Sequence, residues 1–211
     1  MSLVYLKHPF TMVISGPTGS GKTVFVKKMI ENIDQMIDPV PEKIFYFYGE
    51  YQQIFEEFPS TTFFMKGIDV DLIESLDASS PSLLIINDLM DIASNSALIS
   101  DSFTKISHHR NISVILLLQN FFLRSKNLRT ITLNAQYIVL FKNPRDRTIS
   151  RYLGQQMYPN SSKVFNEIYI RATEKPYSYL LIDLKPYTPE NLRLFSDILG
   201  EDNYISVYMI K

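Results

Sequence analysis

Short apolar runs alternate with helically spaced segments along most of this chain. Phe10 to Ser15 reads as a buried strand. From Lys22 to about Met36, residues Val24, Phe25, Met29, Ile30, Ile33 and Ile37 keep helical spacing, and Asp38-Pro39-Val40-Pro41 ends the helix. Lys43 to Tyr48 is an aromatic-rich strand stopped by Gly49. A short helix over Gln52 to Phe58, a short strand over Thr62 to Met65 and a helix over Asp69 to Leu76 follow. Leu83-Leu84-Ile85-Ile86 is an uninterrupted apolar run ending in Asn87-Asp88, as expected of a central parallel strand covered on both faces. Ser96 to His109 is helical, and Ile112 to Leu118 is a second central strand. Leu128 to Asn134 (helix), Tyr137 to Phe141 (strand) and Arg145 to Gln155 (helix) continue the alternation. The class is α/β, with right-handed βαβ units and a mostly parallel sheet sandwiched by helices.

The last third is less regular. Residues 1–155 are expected to form the core, and 156–211 an extension packed on it or continuing it. Ser162 to Ala172 reads as helix and Tyr177 to Leu184 as strand. Thr188-Pro189-Glu190 has the form of a helix start, with Thr as cap and Pro first in the helix. Ile205 to Ile210 is either an edge strand or a tail that packs on a neighbour.

Composition narrows the chemistry. The 211 residues contain no cysteine, so neither a disulfide framework nor a thiolate metal site is available. The start is too short and wrongly ordered for a signal peptide. Ile112 to Leu118, the longest apolar stretch, falls far short of a membrane span, and no membrane partner is expected. Net charge is only -1, but it is unevenly distributed. Residues 30–101 carry fourteen acidic and two basic side chains, whereas residues 103–151 carry nine basic and one acidic. Such a split gives either an acidic and a basic face or merely an uneven solvated surface.

Gly16-Pro17-Thr18-Gly19-Ser20-Gly21-Lys22-Thr23 fits G-x-x-x-x-G-K-[ST] at every fixed position, with a strand before it and a helix after it. The glycines let backbone N–H groups turn inward around phosphates, and the helix presents its N-terminus to the anion. Lys22 is expected to reach the β- and γ-phosphates, and the Thr23 hydroxyl to join the Mg²⁺ shell of bound ATP.

Such a site needs a carboxylate at the tip of another strand, and only Asn87-Asp88 fits. In the favoured register Asn87 takes the metal position and Asp88 activates water. In the other, Asp88 serves the metal and Asp91 or another group handles the water. Gln119, ending the next strand, is placed to sense the γ-phosphate, and Arg110, before that strand, to reach a neighbouring subunit's nucleotide. Asn87, Gln119 and the His108-His109 pair also have plain readings, as turn residues and a helix end.

With these motifs in view, GPTGSGKT, LLIINDLMD, HHRNISVILLLQN and LNAQYIVLFKNPRDRTI resemble the FtsK–HerA superfamily of DNA-pumping ATPases. More closely, from about His8 to Gln155, they resemble genome-packaging ATPases of adintoviruses and Maverick/Polinton elements, relatives of the poxvirus packaging ATPase. The resemblance implies an additional-strand (ASCE) P-loop fold with strand order 5-1-4-3-2. It also implies catalytic roles for Lys22, Asp88, Gln119 and Arg110, and metal roles for Thr23, Asn87 and Asp88. Asn87 departs from the family's Asp. The implied activity is ATP hydrolysis coupled to double-stranded DNA translocation by a homo-oligomeric ring (pentamer or hexamer) at a viral capsid vertex. The implied location is inside an infected host cell, with association with the virion. A nucleoside or nucleotide kinase using Lys142, Arg145, Arg147 and Arg151 as a lid is an alternative, as is a weakly hydrolysing nucleotide-bound scaffold. The segment 120–130, with Phe121, Phe122, Arg124, Lys126 and Arg129, is the expected DNA track, and the same cations could instead hold an acidic neighbour.

Overall fold

The structure, a computed structural model, describes residues 6–89, 110–121, 126–199 and 204–210. Its centre is a nine-stranded sheet. Six strands are mutually parallel: β2 (Thr11–Ser15), β4 (Lys43–Tyr48), β5 (Thr62–Lys66), β6 (Ser82–Asn87), β7 (Ile112–Leu118) and β8 (Tyr137–Phe141). Leu6–Lys7 (β1) and Ile37–Asp38 (β3) form a separate two-stranded pair. The last third adds β9 (Tyr179–Asp183), β10 (Leu194–Ser196) and β11 (Ser206–Tyr208), joined antiparallel beyond β8. The order across the sheet is β11-β10-β9-β8-β2-β7-β6-β4-β5. The segment left open between edge strand and tail therefore supplies an edge strand, β11.

Apolar layers cover both faces. Residues of alternate parity divide between them: Val13, Leu84, Ile86, Val114 and Leu116 join one, and Met12, Ile14, Leu83, Ile85 and Ile115 the other. That alternation follows from the period of two, and burial of both parities explains the unbroken apolar runs. Helix α1 (Lys22–Glu31) packs Phe25, Val26, Met29 and Ile30 on the second face. The first face receives Ile73 of α3 (Val70–Ser75), Ile131 of α4 (Lys126–Asn134), Ile149 and Leu153 of α5 (Thr148–Met157), and Phe165 and Ile168 of α6 (Ser162–Ala172).

Several boundaries differ from expectation for local reasons. The helix expected from Lys22 to Met36 stops at Glu31, and Ile33–Met36 is a separate turn, α2. Asn32 Nδ2 donates to the Lys28 carbonyl at 2.8 Å, a side-chain bond that competes with helix continuation. Ile37 then turns extended to pair with β1. The short helix expected over Gln52 to Phe58 is a 3₁₀ helix, Gln53–Glu57, and Phe55 stacks on Phe64 at 4.7 Å beside Tyr46 and Phe58. The helix expected at Thr188 is only a 3₁₀ turn, Glu190–Leu192, preceded by Pro189. Arg193 closes it, bonding Glu190 and the carbonyls of Asp183 and Lys185, and the chain returns at once into β10. The expected Ser96 to His109 helix lies outside the described residues.

The register decides where functional groups emerge. Ser15 pairs with Leu118, and Asn87 with Leu117, so β2, β7 and β6 end together. Gly16, Gln119 and Asp88 therefore leave the sheet side by side at its carboxyl edge, where ligands of open α/β sheets bind.

Candidate nucleotide-binding site

Gly16 begins the loop by donating its N–H to the Leu118 carbonyl at 3.1 Å. A Cβ there would lie 2.6 Å from Ser20 Oγ and 2.7 Å from the Phe141 Cβ, so only glycine fits. Gly19 and Gly21 have φ of 77° and 104°, in the left-handed region that glycine enters without steric cost. Thr18 and Gly19 are exposed at the turn, and Pro17 and Ser20 flank them, half-buried. Helix α1 follows Gly21 with no side-chain cap, so its first-turn N–H groups are left for a ligand.

Lys22 Nζ donates to the carbonyls of Gly16 at 2.5 Å and Pro17 at 3.0 Å. Burial lowers its pKa to about 8, against the opposing pull of Asp88. The ammonium is thus a desolvated cation held by neutral dipoles, an arrangement that an anion in the loop improves. Thr23 Oγ1 donates to Gln52 Oε1 at 3.4 Å. The Thr23 side chain also neighbours the Tyr46 hydroxyl, as does Asn87, and burial pushes that hydroxyl's pKa up. Asn87 is the last residue of β6 and is buried. Among the described residues, six buried side-chain polar atoms lack a hydrogen-bond partner, and three of them, Asn87 Nδ2, Tyr46 Oη and Ser20 Oγ, lie about the loop. Three such atoms around one loop mark a place built for further polar contacts.

Asp88 is exposed and takes φ of 59°. Gln119 Nε2 donates to its Oδ1 at 2.9 Å, so the two strand-tip side chains form one unit. The structure thus brings together Lys22, Thr23, Asn87, Asp88 and Gln119. Arg110 is apart from them, before β7 at the opposite edge of the sheet, where Nη1 donates to the Glu74 carbonyl at 2.5 Å. Seven residues of strand separate it from Gln119, roughly 20 Å. Asp91, His108-His109, Phe122 and Arg124 lie outside the described residues. Phe121 is buried in the core, so it takes no part in an exposed DNA track, while Arg129 on α4 is exposed.

Gln52 and Gly49 are among the residues of the site that escaped the sequence reading. Gln52 touches Thr23, and nothing in its local pattern signals this. Gly49, read only as a strand stop, donates its N–H to the Asn87 carbonyl at 3.2 Å. A Cβ on it would sit 2.6 Å from the Asp88 carbonyl oxygen. The glycine lets β4 support the Asn87-Asp88 tip.

Among solved structures, the chain is similar to B204, the DNA-packaging ATPase of Sulfolobus turreted icosahedral virus. The TM-score is 0.57 at 15% identity, covering 97% of this chain and 100% of that one. It is similar too to the genome-packaging NTPase B204 of Sulfolobus turreted icosahedral virus 2 in complex with ATPγS, with TM-score 0.52, 14% identity and coverage of 95% and 96%. The cytoplasmic domain of the Thermomonospora curvata type VII secretion ATPase EccC gives a TM-score of 0.52 at 13% identity, over 85% of this chain and 24% of that one. The chain thus shares the fold of these P-loop ATPases. In sequence, it is 44% identical over 45 residues to Packaging protein 1 of Snake adenovirus serotype 1. The match spans 21% of this chain and about a tenth of that protein, 10%. No family model matches. Among the described residues, no helix is long and apolar enough to cross a membrane.

Proposed function

We propose that this protein is an ATPase that drives double-stranded DNA into a viral capsid, working as a homo-oligomeric ring at the capsid vertex in an infected cell. The observation that carries the reading is the join between the phosphate loop and the Lys22–Asp88–Gln119 group at the ends of three adjacent strands. It agrees with an additional-strand P-loop fold, since β7 stands between the loop strand β2 and the acidic strand β6. The order β8-β2-β7-β6-β4, with β5 beyond it, supports reading the core as 5-1-4-3-2. Likeness in fold to packaging ATPases and the short match to Packaging protein 1 support packaging over other P-loop activities.

ATP fits the residues present. The loop's glycines leave room for phosphate oxygens, and Lys22 supplies the positive charge. Thr23 is an oxygen donor suited to Mg²⁺, with Asn87 as a neutral acceptor of a bond from metal-bound water; in the other register Asp88 would take the metal position. Mg²⁺, when bound with the nucleotide, neutralises charge developing on the phosphates. The proposed role of Asp88 is to accept a proton from water, with the bond from the Gln119 amide holding the carboxylate in position. Arg110 faces away from its own nucleotide, so its proposed role is toward a neighbouring subunit. Exposed Arg129, with Arg124 and Lys126, is proposed to contact DNA phosphates, which suits a motor indifferent to sequence.

The test is phosphate release from ATP with and without duplex DNA of unrelated sequences. DNA of any sequence should stimulate release. ATPase activity that DNA leaves unchanged, together with phosphoryl transfer to a nucleoside acceptor, would overturn the packaging reading in favour of a kinase.

A further inference from the structure

Tyr177 lies where no packing requirement of the core calls for a tyrosine. It is 71% exposed. It follows Pro176 in a tight turn that Ser178 closes, with its N–H at 3.3 Å and its hydroxyl at 2.7 Å both donating to the Lys175 carbonyl. Pro followed by a residue of positive φ is the pattern of a type II turn, whose third position favours glycine or asparagine. Tyr177 occupies that position with φ of 63°. A bulky side chain at positive φ is an outlier, and such strain concentrates where a side chain is needed for binding.

Its place in the fold shows what that need is. A Cβ on Gly21 would lie 3.3 Å from Tyr177 Cδ1, 3.4 Å from Tyr177 Cβ and 3.4 Å from Phe141 Cε1. The last glycine of the phosphate loop is therefore bracketed by two aromatic side chains. Phe141 is buried and backed by Phe25 and Tyr179, with ring centroids at 6.3 and 5.6 Å. Tyr177 lies against the loop on one side and is otherwise open. In the sheet, β7 and β6, carrying Gln119 and Asp88, flank the loop strand on one side, and β8, ending at Phe141, flanks it on the other. With the γ-phosphate at Asp88 and Gln119, a triphosphate running along the loop brings its nucleoside end to the β8 side, where Tyr177 stands. Val24, exposed in the first turn of α1, adds apolar surface next to Lys22 and Thr23.

We propose that Tyr177 is the stacking platform for the base of the bound nucleotide. This rests on the nucleotide-binding reading above. A ring face recognises any base by stacking and reads no hydrogen-bonding edge, so purines, with the larger stacking surface, bind best.

The test is calorimetric titration of the full chain with ATPγS and, separately, with inorganic tripolyphosphate, which has the phosphates but no base. Tyr177→Asn removes the ring and suits the left-handed backbone, and Tyr177→Phe keeps the ring. Tyr177→Asn should weaken ATPγS roughly 5- to 150-fold, the range for loss of one base–aromatic stack, and leave tripolyphosphate unchanged. Tyr177→Phe should bind both like the wild type. Unchanged ATPγS affinity in Tyr177→Asn overturns the proposal while leaving nucleotide binding intact. Equal weakening of both ligands also overturns it, because the residue then only supports the loop. Wild-type protein that binds neither ligand, or Lys22→Ala protein that binds both as tightly as wild type, overturns the underlying nucleotide reading itself.

Discussion

The two ends of β7 place polar side chains under opposite conditions. At the amino end, Ser113 is fully buried, accepts from the Phe10 N–H at 3.1 Å and lies 2.6 Å from His8 Nδ1. The Asn111 carbonyl can only accept, so His8 Nε2–H donates to it at 3.0 Å, with Asn111 Oδ1 also at 3.0 Å; in the neutral ring Nδ1 is then the acceptor, and the Ser113 hydroxyl donates to it. Burial lowers the His8 pKa, consistent with this neutral tautomer. These partners close on one another and tie the strand starts together. At the carboxyl end, Asn87, Tyr46 and Ser20 bury polar atoms without partners among the described residues, and Lys22 rests on loop carbonyls. Buried polarity alone therefore does not locate a site. Unpaired buried atoms also occur away from the loop, at Thr62, Tyr158 and Tyr179, so it is their gathering beside Lys22 and the strand tips, and not their presence alone, that points to a site.

Lys22→Ala is the most damaging change at the carboxyl end. It should abolish ATP binding or turnover, measured by phosphate release and nucleotide titration. Full activity in that variant would remove the basis for assigning the carboxyl end a function. Arg110→Ala tests the opposite end. It should leave ATP binding unchanged and lower turnover by about 10³-fold or more, the effect of losing an arginine finger. Mixing Arg110→Ala with Lys22→Ala subunits should restore part of the activity, because some interfaces then combine an intact loop with an intact arginine. An Arg110→Ala protein that loses only thermal stability assigns Arg110 to its Glu74 contact instead.

Charge gives a third test. The folded pKa of Lys22, about 8, lies below its ordinary value of 10.5. Tripolyphosphate affinity should therefore fall as pH rises above about 8, by up to tenfold per pH unit, and Lys22→Met should erase that slope. Stability moves the other way. Between about 8 and 10.5 the unfolded chain binds more protons at this residue, so its contribution to stability rises with pH. Thermal melts across that window should show the rise in wild type and lose it in Lys22→Met.

Smaller effects sharpen the contrast. Ser113→Ala should cost about 1–3 kcal/mol in denaturant unfolding, as a buried hydrogen-bond network loses a member, and spare turnover per folded molecule. Gly49→Ala should reduce turnover as well as stability, because its methyl displaces the Asp88 carbonyl. Equal behaviour of the two variants would erase the distinction between the ends. Asn87→Asp should have the smallest effect, tightening the Mg²⁺ dependence and keeping or raising turnover. Loss of activity there, with Asp88→Asn harmless, would reverse the assignment of the pair.

Elements whose signals are local can be read from the sequence alone. Apolar runs such as Leu83 to Ile86 and Ile112 to Leu118 can be buried only between helices on both faces, so the α/β layering was legible. The loop was legible too, because G-x-x-x-x-G-K-[ST] encodes its own backbone geometry. Local chemistry also set boundaries that periodicity missed, as where Asn32 ends α1. Which strand tips meet depends on the assembled sheet. The pairing of Gln119 with Asp88, thirty-one residues away, depends on β6 and β7 being neighbours in register. The approach of Gly49 to the Asp88 carbonyl depends on β4 lying on the other side of β6. Tyr177 reaches Gly21 across most of the chain because β9 folds back antiparallel on β8. Such contacts come from sheet order and register, which no stretch of local sequence encodes, because side-chain periodicity specifies a face but not a neighbour.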